Sequence, residues 1–135
     1  FAPMGVRELI TEVAAADAVA RGPVLVDFYA HWCGPCMRIA PKVAELSARY
    51  PEIAFYKVDY DLLPAVCEAH GVQSLPTFLL LDRGAVVDRV TGADLEALRR
   101  ALAAFSQRLG AASDPPATPK ADPTPTPAPA PTSSP

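Results

Sequence analysis

The feature that most constrains the fold is an apolar run leading directly into a closely spaced cysteine pair. Val24–Ala30 is a nearly continuous run of branched, aliphatic and aromatic residues, typical of a strand buried on both faces. The pentapeptide Trp32-Cys33-Gly34-Pro35-Cys36 follows, and apolar residues then recur at helical spacing from Ile39 to Leu46. The pattern predicts a central strand, a sharp turn and a helix. A thiol at this turn lies at the positive end of the helix, where its thiolate is favoured.

Composition divides the chain into a body and a tail. Of the 135 residues, 50% are hydrophobic, which suffices for one modest core. From Ala111 to Pro135 the only apolar residues are Ala and Pro, and more than half of the 16 prolines lie there. Such a segment buries too little apolar surface to offset its ordering entropy. We therefore expect a folded domain over residues 1–110 and a disordered tail over residues 111–135.

The tail is interpreted as an extended linker or solubilising segment without secondary structure. The alternative is a binding segment that docks to a proline-recognising domain or is phosphorylated at Thr118, Thr124 or Thr126. Both interpretations leave the chemistry to the body.

Charge and hydropathy exclude two classes of partner. The net charge is −3, and neither body nor tail is basic enough to indicate nucleic acid or an anionic membrane. No apolar run approaches the roughly 20 residues that span a bilayer. A signal peptide is not visible, but the chain begins at Phe1, which is compatible with removal of a targeting segment.

Alternating strand and helix patterns predict an α/β fold. Val6–Ile10 is interpreted as a strand, followed by a helix capped by Thr11 and ending at Val19; one helix from Val6 is the alternative. The remaining predicted elements are strands at Val24–Ala30, Ile53–Val58, Thr77–Leu81 and Val86–Val90 and helices at Cys33–Arg49, Pro64–His70 and Asp94–Leu109. Together they predict a mixed sheet of about five strands flanked by about four helices, with an antiparallel hairpin around Asp82–Ala85 at one edge.

The cysteine content favours redox chemistry over a disulfide framework. The chain has three cysteines, and an odd, small number suits a reducing compartment in which one pair cycles. Half of a zinc site is the alternative, but Cys67, His31 and His70 occur at no recognisable ligand spacing, so we expect no metal. Cys67 fits a small buried helix position, with a regulatory thiol as its alternative. His70 precedes Gly71 and is interpreted as a cation at a helix end.

Several sequence blocks, in their order and spacing, resemble the thioredoxin family. They are Val26-Asp27-Phe28, Trp32-Cys33-Gly34-Pro35-Cys36, Ile39-Ala40-Pro41, Lys57-Val58-Asp59, Leu75-Pro76-Thr77-Phe78 and Val90-Thr91-Gly92-Ala93. The resemblance covers residues 6–108. The sequences Phe55–Asp59 and Gly92–Asp94 resemble cytosolic eukaryotic-type members more than the usual bacterial ones. It implies the thioredoxin fold and a thiol–disulfide oxidoreductase that reduces protein disulfides without a bound cofactor.

The helix-start position makes Cys33 the expected nucleophile, with Cys36 as the resolving thiol one turn deeper. Asp27 stands in a buried apolar run, so it needs a raised pKa or a partner. The resemblance implies that Asp27 takes the proton of Cys36 and that Lys57 is its charge partner; a structural acid bonded to backbone is the alternative. It also implies a cis peptide before Pro76, with an ordinary turn proline as the alternative.

A flat apolar patch for substrate is expected around the dithiol. Its members are Trp32, Gly34, Pro35, Leu75, Gly92 and Ala93. The chain departs from the common family pattern at Tyr29, often Trp, and at His31, often acidic or small. His31 titrates near neutrality and lies close to the dithiol in sequence, so we expect it to be able to shift the pKa of the reactive thiol.

The resemblance implies disulfide-containing protein substrates and a thioredoxin reductase as partners. A cytoplasmic monomer is expected. One alternative keeps the fold but acts as a disulfide oxidase or isomerase, although Gly34-Pro35 resembles the reducing members. Another alternative is a tethered binding or assembly subunit in which the dithiol is incidental.

Overall fold

The computed structural model describes the backbone of residues 5–113 and the side chains of residues 5–110. The chain separates into two units, Phe1–Phe105 and Ser106–Pro135. The first unit contains the whole sheet and the cysteines. Of the second unit, the described part is the final stretch of the last helix.

Nine elements follow one another in the described part of the chain. They are β1 (Val6–Glu8), α1 (Glu12–Ala20), β2 (Pro23–Tyr29), α2 (Gly34–Arg49), β3 (Ala54–Asp59), α3 (Pro64–Ala69), β4 (Thr77–Asp82), β5 (Ala85–Thr91) and α4 (Leu95–Ser113). The predicted order is confirmed, including a separate strand before the first helix. Thr11 caps α1 as expected, because its side-chain oxygen accepts the backbone N–H of Ala14 at 3.0 Å.

The sheet has the order β1-β3-β2-β4-β5, which places the apolar run of β2 at its centre. β2 is parallel to β3 and antiparallel to β4, and all six residues from Val24 to Tyr29 are buried. The mixed five-stranded sheet with four helices confirms the predicted fold. Because β2 is covered on both faces, the turn that follows it is held firmly at the end of the central strand.

The predicted hairpin is a two-residue connection between β4 and β5. Arg83 and Gly84 both have positive φ, 51° and 89°, as a type I′ turn requires. The bulged β5 forms the outer edge of the sheet and is mostly exposed apart from the buried Val90, whereas β4 lies in the core.

The helix α2 carries an apolar face onto the sheet. Its buried residues are Cys36, Ile39, Val43, Leu46 and Ser47. Pro41 lies inside the helix but is exposed, on the side away from this buried face. The cysteine turn is therefore anchored on one side by the central strand and on the other by the buried stripe of α2.

The last helix is longer than predicted. It runs to Ser113, whereas the sequence pattern predicted an end at Leu109 and a structureless tail from Ala111. The two alanines after Gly110 favour helix, and a single glycine weakens a helix by only about 1 kcal/mol. The rest of the predicted tail lies outside the described residues. Within residues 5–113, no helix is both long and apolar enough to cross a membrane.

Candidate active site

The cysteine pair forms the start of α2. Cys33 is the N-cap residue, and its Sγ accepts the backbone N–H of Cys36 at 3.2 Å. Its own N–H donates to Ala30 O at 3.1 Å, which closes the turn after the central strand. Cys33 and Cys36 form a disulfide, with their Cα atoms 5.3 Å apart. In the reduced protein, the same N–H and the helix dipole would stabilise a thiolate on Cys33.

Both cysteines are largely buried, Cys33 at 5% and Cys36 at 2% exposure, but they differ in what they border. Cys33 lines an open cavity of about 420 Å³, which Cys36 does not line. The other lining residues are Trp32, Tyr60, Val72, Gln73, Ser74 and Leu75. A substrate in this cavity therefore meets Cys33 first, which fits the predicted order of attack.

The loop before β4 forms the facing wall. The Leu75–Pro76 peptide is cis, as the resemblance implied, so the alternative interpretation as an ordinary turn proline is wrong. Leu75 packs against the cysteine cluster, and Pro76 O accepts the N–H of Gly92 at 2.8 Å. Thr77 Oγ1 donates to Ser74 O at 2.7 Å and ties the loop further. These bonds hold the Leu75 backbone beside the dithiol.

The predicted apolar patch is only partly gathered around the cavity. Trp32 and Leu75 line it, and Gly92 is joined to it through Pro76. Gly34, Pro35 and Ala93 are exposed but do not line the cavity. Trp32 is 68% exposed, and its indole N–H donates to Asp61 Oδ2 at 2.9 Å, so the ring is fixed by one end.

Tyr60 and the segment from Val72 to Ser74 were missed by sequence reasoning. They belong to the loops after β3 and α3, and no motif marks them. Tyr60 lies near Cys33 because the parallel pairing of β2 and β3 brings the ends of these strands together. Val72–Ser74 lie there because the antiparallel pairing of β2 and β4 brings the start of β4 to the end of β2.

Asp27 is a buried acid with an unpaired oxygen. It is 5% exposed, and its Oδ1 has no hydrogen-bond partner among the described residues. Burial raises its pKa from 3.8 to about 7, and the positive charge of Lys57 opposes this rise. Lys57 lies directly opposite Asp27 in the β2–β3 pairing, as expected for a charge partner.

Asp27 and Tyr29 share a face of β2, since they are two residues apart in the strand. Tyr29 packs with Cys33 and Cys36, so this face of β2 is the one beneath the dithiol. His31 Nε2 lies 3.4 Å from Asp59 Oδ2, and its ring meets Tyr29 edge-on at 5.3 Å. The expected influence of His31 on the reactive thiol stays a prediction.

Cys67 and His70 both lie outside the cavity. Cys67 is fully buried and free, as the helix pattern predicted. His70 lies at the end of α3 as predicted, but burial, followed by the Arg89 charge, lowers its pKa and disfavours the predicted cation. The cation at the end of α3 is Arg89, whose guanidinium donates to His70 O at 2.7 Å. In residues 5–113, no group of three or more His, Cys, Asp or Glu side chains is arranged to hold a metal ion.

A sequence model of the Thioredoxin family matches residues 8–104. The chain belongs to the thioredoxin family. It is 47% identical over 81 residues to Thioredoxin-1 of Saccharomyces cerevisiae, covering 60% of this chain and 79% of that protein. It is 49% identical over 81 residues to Thioredoxin-2 of Pyricularia oryzae, covering 60% of this chain but 47% of that protein, about half its length.

A solved thioredoxin structure gives the same result. The thioredoxin of Plasmodium falciparum superposes with a TM-score of 0.72 at 36% identity, covering 74% of this chain and 99% of that one. Thioredoxins are disulfide oxidoreductases, and the Cys33–Cys36 disulfide fits a dithiol–disulfide reductase. The redox-active pair of the thioredoxin domain is therefore Cys33 and Cys36.

Proposed function

We propose that this protein reduces disulfide bonds in protein substrates through a cycle of the Cys33 and Cys36 thiols. One observation carries the proposal. Cys33 caps a helix and lines the open cavity beside the cis Leu75–Pro76 bond, whereas Cys36 is buried one turn below. An activated thiol that borders a cavity, above a second thiol that does not, is the arrangement that a two-step reductase needs.

In the first step the Cys33 thiolate attacks one sulfur of the substrate disulfide. A Cys33–substrate disulfide forms, the substrate S–S bond breaks, and the leaving sulfur departs as a thiolate that takes a proton from water. In the second step Cys36 gives its proton to Asp27 and attacks Cys33 Sγ. The mixed disulfide breaks, the second substrate sulfur leaves and is protonated, and two electrons have passed to the substrate.

Asp27 is suited to the second step by its environment. A general base works best when its pKa lies near the operating pH, and burial raises the pKa of Asp27 to about 7. Its unpaired Oδ1 is available for a proton, and Lys57 supports its ionised form.

The cavity favours an extended, partly apolar peptide segment as the bound part of the substrate. Trp32, Val72 and Leu75 supply its apolar walls. The Leu75 backbone, held beside Cys33, offers groups that a substrate strand can pair with. Substrate recognition would then depend on backbone and apolar contact more than on charge.

The proposed cycle closes when a thioredoxin reductase returns two electrons to the Cys33–Cys36 disulfide. No cofactor needs to bind the chain itself. We further propose that the protein works in the cytoplasm, since its free, buried Cys67 suits a reducing compartment. We also propose that it works as a monomer. Sedimentation velocity and cell fractionation test these two points.

The domain of residues 1–110 would carry the activity, with the segment from 111 as an accessory tail. Removing residues 114–135 leaves α4 intact and should leave the reduction rate unchanged. A loss of reduction in that truncated chain would show that the tail contributes to catalysis.

The decisive experiment traps the intermediate. A Cys36→Ser variant, incubated with a disulfide-bonded protein such as insulin, should accumulate a mixed disulfide on Cys33. The matched Cys33→Ser, Cys36→Ser variant should trap nothing. If the single variant also forms no adduct, the mechanism is wrong.

Direction is tested separately by the reduction potential. If the protein is a reductase, the reduction potential of its Cys33–Cys36 pair should lie close to that of thioredoxin, about −270 mV. A reduction potential near that of an oxidant, about −120 mV, would favour disulfide formation instead.

A further inference from the structure

Three neighbouring strands place alternating charges in one row across the sheet. Glu8 of β1 lies opposite Lys57 of β3, and Lys57 lies opposite Asp27 of β2. Side chains directly opposite one another in adjacent strands project to the same face. Lys57 therefore stands between two carboxylates, the exposed Glu8 at the sheet edge and the buried Asp27 at its centre.

Tyr29 contacts two members of this row, Glu8 and Lys57. Its hydroxyl donates to Glu8 Oε2 at 2.5 Å, and the Lys57 ammonium nitrogen lies 5.3 Å from the centroid of its ring. The ring is 4% exposed and packs against Cys33 and Cys36. Burial, followed by Glu8, raises the pKa of Tyr29, so its hydroxyl remains a donor throughout the physiological range.

The surroundings of Asp27 leave Lys57 as the main charge acting on it. On β4 the residue opposite Asp27 is Phe78, which is apolar. At the start of α2, the disulfide of Cys33 and Cys36 packs with Tyr29 and adds no charge. Burial and Lys57 are the causes that act on the Asp27 pKa. Asp59 acts on Tyr29, and His31 is paired with Asp59. Glu8 is therefore placed to influence Asp27 through Lys57.

Resting on the proposed reductase function, we propose that Glu8 and Tyr29 are positioning residues for proton transfer from Cys36 to Asp27. The Tyr29 hydroxyl occupies one oxygen of Glu8 and its ring holds the Lys57 ammonium. Both contacts weaken the attraction between Glu8 and Lys57, so that the positive charge of Lys57 continues to act on Asp27. In the step concerned, the proton leaves Cys36 Sγ for the Asp27 carboxylate. The electron pair left on that sulfur then forms the bond to Cys33 Sγ as the substrate sulfur departs.

Two substitutions should shift the acid limb of the pH–rate profile in opposite directions. Glu8→Gln keeps an acceptor for Tyr29 but removes the charge that competes for Lys57, so the Asp27 pKa falls. Tyr29→Phe keeps the ring but frees the Glu8 carboxylate to pair with Lys57, so the Asp27 pKa rises. Each shift should be roughly half a pH unit, the size expected for one charge acting at about 10 Å. In the double variant, Tyr29→Phe should add nothing to Glu8→Gln.

The experiment measures single-turnover reduction of insulin by each fully reduced full-length variant between pH 5 and pH 9. Carboxyl ¹³C NMR of Asp27 gives the same titration independently of turnover. Glu96→Gln, which removes an exposed acid from α4, is the matched control and should leave the profile unchanged. Glu8→Ala provides a second charge-removing variant in case Glu8→Gln folds poorly, and it should also move the profile to lower pH.

Opposite shifts that vanish in the double variant support the inference. If the wild type reduces insulin and the variants show unmoved profiles, the inference is overturned while the reductase function stands. Lower thermal stability with unmoved profiles would likewise overturn it, because it indicates a purely structural bond. If the wild type fails to reduce insulin, the proposed function itself is wrong.

Discussion

The two cysteine regions of this protein place the same functional group in opposite environments. Cys33 caps α2, where a backbone N–H points at its sulfur and an open cavity reaches it. Cys67 lies within the short α3, fully buried in the apolar cluster that contains Phe28 and Val72. Burial, then the negative charge of Asp59, raises the Cys67 pKa to about 11.

This difference shows that position, more than residue type, decides what a thiol does. A thiolate needs donors and access, which the start of a long helix provides and an apolar core does not. Cys67 therefore stays protonated near neutral pH and contributes packing.

The largest expected difference is in activity. Cys33→Ser should lower the rate of insulin reduction by roughly 10³-fold or more, because it removes the nucleophile. The matched Cys67→Ala should retain nearly the full rate. A comparable loss in Cys67→Ala, with folding confirmed by circular dichroism, would mean that the third thiol takes part in the reaction.

Alkylation rates should separate the thiols directly. In the reduced, folded protein at pH 7, iodoacetamide should modify Cys33 at least roughly 100-fold faster than Cys67, since a raised thiol pKa and burial both suppress reaction. Mass spectrometry of peptides after timed quenching measures both rates. Denaturation should bring the rates together, and a persistent gap in denaturant would point to local sequence instead of the fold.

Asp27→Asn should stabilise the folded protein at high pH, because the buried, ionised Asp27 carboxylate lowers the free energy of unfolding there. The Asp27 pKa is about 7 in the folded protein and 3.8 as its ordinary value, so the folded state binds more protons between these pH values. The free energy of unfolding therefore falls as pH rises through this window. At pH 8 the variant should be more stable by roughly 2–4 kcal/mol, with little difference near pH 3.

Urea unfolding at several pH values measures this effect. Asp88→Asn, on the exposed β5, should show no such pH-dependent gain. The Asp27 variant should also reduce insulin about tenfold more slowly near pH 7, because Cys36 loses its base. Stability gained without any loss of rate would separate Asp27 from catalysis.

The smallest effect concerns packing at Cys67. Cys67→Ser should lower the free energy of unfolding by about 1–3 kcal/mol, because it places a hydroxyl in an apolar cluster. Cys67→Ala should cost less, since it leaves a small cavity without an unpaired polar group. Both measurements use urea unfolding, and equal costs for the two variants would contradict the apolar environment assigned here.

The local elements were largely predictable because short patterns report burial directly. The uninterrupted apolar run of β2 predicted a central strand, and Thr11 predicted the start of α1. The end of α4 was missed because no strong helix breaker lies between Leu109 and Ser113. The lowered pKa of His70 was not predictable, because Arg89, which donates to the carbonyl of His70, lies 19 residues away in the chain.

Beyond the dithiol and the buried Asp27, the site was predictable only where the family resemblance reached. It implied the cis bond before Pro76 and the pairing of Asp27 with Lys57. Pro76 lies 49 residues and Lys57 lies 30 residues after Asp27, so no local pattern connects them. The cavity walls and the Tyr29–Glu8 bond were missed, since each depends on which strands pair and in which register.

The sequence by itself determined that a dithiol stands at the junction of a buried strand and a helix. Hydrophobic periodicity and the helix-start position require only neighbours in the chain. The tertiary structure alone decided that Cys33 faces a cavity while Cys67 is enclosed, and that Lys57 lies between Glu8 and Asp27. Access and charge at these groups come from strand pairing between distant segments, which a linear pattern does not encode.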